Sequence, residues 1–135
     1  MRRILPFNPD AALLLLRLVL GVIMIYHGLP KVMDFGGTIG GFQSMGVPLP
    51  ALAATFAAIA EVIGGILILL GILTDIAGLL FAIDMLGAIL FVHAKNGFAQ
   101  GKGGVEWPLA LLAMALAVAL AGPGRYAVGG GRRDT

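Results

Sequence analysis

Four stretches of the chain carry almost only apolar residues: about 11–33, 51–73, 75–95 and 106–122. Crossing a hydrocarbon core of ~30 Å takes roughly 20 apolar residues, and each run meets or nearly meets that length. The pattern predicts four transmembrane helices. The passages between them differ in kind. "DFGGTIGGFQSMGVPLP" is rich in glycine and ends in two prolines, and it reads as a loop with one short interfacial turn. "GILTDIAG" is a tight turn, and "KNGFAQGKGGVEWP" is a polar loop before the last run. Residues 1–10 form an N-terminal segment, and residues 127–135 are expected to be a mobile tail. Short connections between neighbours predict an all-α membrane protein, an antiparallel up-down bundle of four transmembrane helices.

Composition supports this. Of 135 residues, 59% are hydrophobic and only 12% charged, against about 25% charged in a typical soluble domain. Mean hydropathy is +1.01. So few charges cannot cover a water-facing surface, and the expected partner of the chain is the lipid bilayer. Cysteine is absent, which excludes a disulfide, a thiol relay or a thiolate-held iron–sulfur cluster. Net charge is +2, and no basic tract interleaved with aromatics points to nucleic acid. Arg2 and Arg3 before an apolar run imitate a signal peptide, but no small-residue cleavage site follows. The first run is read as a retained helix.

Four spans put both termini on one side. That side holds Arg2, Arg3, Arg125, Arg132 and Arg133, and the other holds Lys31, Lys95 and Lys102. The excess predicts cytoplasmic termini in a cell inner membrane. Small residues at helical spacing predict close packing. Arg17, Gly21 and Gly28 share one face. Ala53, Ala57, Glu61 and Gly65 form a row on the second helix, and Ala113, Ala117 and Ala121 another on the fourth.

Ionisable groups inside spans are rare and usually face the protein interior. At ~1.5 Å of rise per residue, Glu61 and Asp84 both fall near ~15 Å depth, close to the midplane. Glu61 lies in the small-residue row. It is expected to be buried and neutral, either stapling helices together or relaying protons with Asp84. Arg17, about six residues from the cytoplasmic end, is expected to snorkel.

At the other end of the first helix, "GVIMIYHGLPKVMDF" places His27 and Lys31 about 40° apart on one face. His93, Asn96 and Glu106 fall at the same membrane face, beside the expected interfacial anchors Lys95 and Trp107. His27, Lys31, His93, Asn96 and Glu106 are therefore candidate ligand-binding residues, with Glu61 and Asp84 as candidates for handling protons. Two histidines and Glu106 are possible metal ligands, but none shares the i, i+4 spacing of a preformed chelate, and no metal is expected. Phosphate-loop, nucleophile-elbow and dinucleotide fingerprints are missing.

"LLLRLVLGVIMIYHGLPKV", "AEVIGGILILLGILT", "VHAKNGF" and "GPGRY" together resemble the DoxX family of membrane proteins, over about residues 11–128. The family's Arg, His-Gly and Lys of helix one fall on Arg17, His27, Gly28 and Lys31. Its E-x-x-G-G falls on Glu61, Gly64 and Gly65, and its H-x-x-N-G-F on His93, Asn96, Gly97 and Phe98. Asp75 and Asp84 depart from the family pattern. The resemblance implies a membrane subunit of a quinone-linked redox or oxidative-stress complex. A quinone would be the cofactor, and a second protein subunit or another copy of the chain the partner. Two further readings stand beside it: a scaffold for a soluble redox protein, and a small proton-coupled transporter built on Glu61.

Overall fold

The computed structural model describes residues 2–128, and all of its long elements are helices. They are α1 (Pro9–Met33), α2 (Phe35–Ser44), α3 (Pro50–Leu70), α4 (Thr74–Asn96) and α5 (Glu106–Ala121). Among the described residues there is no strand. Three helices are long and apolar enough to cross a membrane: α1, α3 and α4. Helix α5 is as apolar, but its 16 residues span about 24 Å, short of a ~30 Å core.

The glycine-rich passage after α1 is not the loop its composition suggests, because ten of its residues form α2. Asp34 explains the difference. It closes α1, and its carboxylate accepts a hydrogen bond from Gly37 N at 3.0 Å, so the same residue caps the next helix. Thr38 and Ser44 bond back to the carbonyls of Asp34 and Gly40. Composition registers the glycines of this segment and misses the cap.

The core lies between the four longer helices. Leu20 and Met24 of α1 meet Ile68 of α3, Ala77, Phe81 and Ala82 of α4, and Leu111, Ala115 and Val118 of α5. Glycines let backbones touch. A methyl on Gly21 would sit 2.6 Å from Leu69 Cγ and 3.0 Å from Gly65 O, and one on Gly78 only 2.7 Å from Ala115 O. The row Ala57, Glu61 and Gly65 is buried. The expected row on the last helix is not: Ala113, Ala117 and Ala121 are exposed, and α5 packs through Leu111, Ala115 and Val118. In an alanine-rich helix, small residues mark more than one face, and the larger apolar side chains decide which is buried. Outward, Leu15, Val22, Leu52, Leu79 and Leu120 are exposed, as a lipid-facing surface requires.

Arg17 does not snorkel. It is 1% exposed. Its Nε donates to Ile68 O (3.0 Å), Nη2 to Leu69 O (3.0 Å), and Nη1 to Pro123 O (2.7 Å) and Tyr126 O (2.8 Å). Helix α3 stops at Gly71, whose φ of 75° is left-handed, so the last carbonyls run short of backbone donors, and Ile68 O keeps only a long bond from Gly71 N (3.2 Å). The guanidinium fork supplies them. Val128 N adds a bond to Leu70 O (2.8 Å) and Arg125 N one to Asp10 Oδ1 (3.0 Å). The segment expected to loosen after Tyr126 is therefore held to the end of α3 as far as Val128. The rest of that expectation, residues 129–135, lies outside the described residues.

Candidate functional site

About 21 Å along α1 from Arg17, by helical rise, the helices part around a cavity of about 580 Å³. That is a usual size for a small-molecule site. All five helices contribute. Phe42 of α2, with Met45 and Pro48 after it, forms one wall. Phe56, Phe81, Phe91 and Leu111 supply apolar surface, and the polar lining comes from His27, Lys31, Glu61, Asp84, His93, Gln100 and Trp107.

Gly28 brings the charged groups together. A Cβ there would meet Glu61 Cβ at 2.6 Å and Val62 N at 3.0 Å, so only glycine lets α1 lie directly against α3 at this level. Helical side chains tilt toward the N-terminus, and Lys31 therefore reaches back over the preceding turn. Its Nζ donates to His27 O (2.9 Å) and to Glu61 Oε1 (2.8 Å). The Glu61 side chain is 4% exposed and that of Lys31 24%. Glu61 is buried between helices, as the sequence predicts, and it is the partner of Lys31. By helical rise alone Lys31 and Glu61 lie at different depths, and the tilt and reach of the lysine side chain close the gap. Gly21, Gly28 and Lys31 lie within about 80° on α1, and that shared face is the signal that could have joined them.

Asp84 of α4 lies within side-chain hydrogen-bonding reach of Glu61, and Lys31 is close by. Its Oδ2 is buried and has no hydrogen-bond partner among the described residues. His27 is on the rim, its ring 6.3 Å from that of Trp107 and edge-on to Tyr26 at 5.7 Å. His93 lies 2.8 Å through Nδ1 from Gly103 O. A carbonyl only accepts, so Nδ1 carries the hydrogen, and a neutral ring offers Nε2 as an acceptor.

Five of the seven candidate residues thus share one cavity: His27, Lys31, Glu61, Asp84 and His93. Asn96 and Glu106 do not line it. Asn96 Nδ2 donates to Gly103 O (3.1 Å), so with His93 it ties down the loop between α4 and α5. Glu106 opens α5, and its amide bonds Phe98 O at 2.9 Å. Gln100, Trp107 and the α2 wall belong to the cavity although the sequence reading did not assign them to a ligand. Two π-helical turns, Ile59–Ile63 and Ile89–His93, carry Glu61 and His93. Such turns shift a side chain out of α-helical register and recur at functional sites.

The chain belongs to the DoxX family of membrane proteins, whose family model matches residues 12–94. It is 41% identical over 109 residues to CatD of Bacillus subtilis, named a putative oxidoreductase, with 81% of this chain and 78% of that protein covered. It is 38% identical over 117 residues to the inner membrane protein YphA of Escherichia coli, covering 83% and 84%. An uncharacterized membrane protein of Mycobacterium tuberculosis is 31% identical over 138 residues, covering 93% and 84%. No solved structure matches the chain significantly.

Proposed function

We propose that this chain is an inner-membrane subunit of a quinone-linked redox or oxidative-stress complex, and that the cavity holds a quinone-like ligand. The observation that carries the reading is the combination of aromatic walls with hydrogen-bonding groups in one space of about 580 Å³. Lys31 Nζ makes two hydrogen bonds and has three hydrogens, so one remains for a carbonyl oxygen. His27 is a second donor on the rim. Phe56, Phe81 and Phe91 would flank a flat ring. Asn96 and Glu106 are left out of the contact set, since they lie off the cavity.

The reading includes α5 as a fourth crossing helix, with cytoplasmic termini on the arginine bias. Without cysteine the chain offers no thiol chemistry, so electrons would pass between the ligand and a second protein subunit. The relative named as an oxidoreductase supports a redox setting.

A solvent extract of the gently purified protein tests this. The expected result is a quinone in near-stoichiometric amount, depleted in the double variant Lys31→Met/Glu61→Gln, which removes the donor without stranding a charge. An extract without quinone, from protein that carries along a soluble redox enzyme, would favour the scaffold reading instead.

A further inference from the structure

At the end of α1 remote from the cavity, residues 2–8 run ahead of the helix and are exposed. Ile4 is 99% exposed, and Leu5 and Phe7 are each 73% exposed, a concentration of bare apolar surface that marks an interaction site. A shallow groove of about 520 Å³ lies between this segment and the first turn of α1, and its lining includes Arg3, Leu5, Phe7 and Ala12. The Arg3 guanidinium sits over the Phe7 ring, 5.0 Å from its centre, so a cation and an apolar ring form one amphipathic unit. Arg125 comes to the same turn from the far end of the chain. Its amide donates to Asp10 Oδ1 (3.0 Å), and a methyl on Gly124 would meet Leu13 Cβ at 3.3 Å. Among the described residues, neither Arg3 nor Arg125 has a carboxylate within 4.0 Å of its guanidinium. Arg2, Arg3, Arg17 and Arg125 stand at this end against Asp10 and Asp75. Arg17 bonds only carbonyls, so its charge adds to the field.

We propose that this surface holds one anionic phospholipid, with Arg3 and Arg125 as donors to its phosphate diester and Ile4, Leu5 and Phe7 against its hydrocarbon. The depth fits, because the segment directly precedes the apolar run that begins at Ala11, and so lies at the level of the headgroups. A phosphate diester spreads one negative charge over two oxygens, and a guanidinium fork matches that pair. A zwitterionic lipid presents the same diester but cancels its charge with an ammonium. The excess of arginine therefore favours a lipid with a net negative charge, and each basic side chain near an anionic surface is worth about a fivefold gain in association. Ile4, Leu5 and Phe7 gain only from a ligand with hydrocarbon of its own, which a free phosphate lacks. The opposite end of α1 differs, since Lys31 there is already paired with Glu61.

The full-length protein would be held in nanodiscs of equal parts phosphatidylglycerol and phosphatidylcholine, released into mild detergent and weighed by native mass spectrometry. Phosphatidylglycerol should remain bound, one molecule per chain, and exceed retained phosphatidylcholine by about tenfold or more. Arg3→Gln combined with Arg125→Gln should lower phosphatidylglycerol retention by a similar factor, with the unfolding temperature in detergent showing that the fold is intact. Lys95→Gln combined with Lys102→Gln removes the same charge at the other end of the bundle and should retain the lipid as the parent does. Phe7→Ser keeps every arginine and should still weaken retention. Equal retention of the two lipids overturns the proposal. So does phosphatidylglycerol that survives the arginine changes, or that is lost as fully with the lysine changes, because it would then answer to net charge and not to this surface. Displacement of the lipid by millimolar glycerol phosphate would reveal a site for free phosphate and overturn it as well.

Discussion

Two polar centres are buried along α1, and they are finished to different degrees. At Arg17, four side-chain N–H groups meet four carbonyls, from the end of α3 and from the segment after α5. Lys31, Glu61 and Asp84 form the other centre, where one ion pair is complete, Asp84 faces Glu61, and its Oδ2 has no closer hydrogen-bond partner among the described residues. Both centres lie in helices surrounded by apolar side chains, where an unpaired polar group is expensive. A satisfied network locks a fold. The first centre belongs to stability and the second, in our proposal, to function.

The largest effect should come from breaking the closed centre. Arg17→Met removes four hydrogen bonds and leaves Ile68 O with only its long bond from Gly71 N, and a loss of more than about 3 kcal/mol is expected. It would be read as a large drop in unfolding temperature in detergent and poor accumulation in the membrane. Arg17→Lys should rescue little, since a compact ammonium cannot reproduce the planar fork.

Next comes the ion pair. Glu61→Ala leaves Lys31 buried without its acid, at a cost of about 2–3 kcal/mol after allowing for the part of the lysine that water reaches. Lys31→Met combined with Glu61→Gln should restore most of that. If the double variant is as unstable as the sum of its single changes, the two residues are not a coupled pair.

Gly28→Ala should fall slightly lower, at about 1–3 kcal/mol, because the added methyl would lie 2.6 Å from Glu61 Cβ. Ligand affinity should fall with it as α1 and α3 separate. An unchanged unfolding temperature would mean that the helices do not touch there. Smallest of all is Asn96→Ala. It removes one exposed bond to Gly103 O, worth less than about 1 kcal/mol, and affinity for a quinone analogue should be unchanged. A clear loss of affinity would return Asn96 to the site.

These contrasts also mark what a sequence can show. Long runs such as "AALLLLRLVLGVIMIY" announce helices in lipid because length and apolarity are local properties. The cap that turns "DFGGTIGG" into a helix is local too, but composition hides it, since the glycines outvote one aspartate. Arg17 is hidden from the sequence for another reason. An arginine near a helix end can reach water or spare carbonyls, and only the fold shows that Ile68, Leu69, Pro123 and Tyr126 converge there. The gathering of His27, Lys31 and His93 at one end follows from helix direction alone. That Glu61 and Asp84 join them, while Asn96 turns away to the loop, depends on tilt, on two π-helical turns and on a glycine contact that spacing does not encode.

The difference between the two centres is tested most directly by unfolding Arg17→Met and Asp84→Leu side by side in the same detergent, without ligand. Arg17→Met should melt far below the parent. Asp84→Leu should melt close to the parent temperature, because it trades one carboxyl contact with Glu61 for apolar surface. An Asp84→Leu protein destabilised as severely as Arg17→Met would mean that Asp84 holds the fold together, and that the second centre belongs to stability as well.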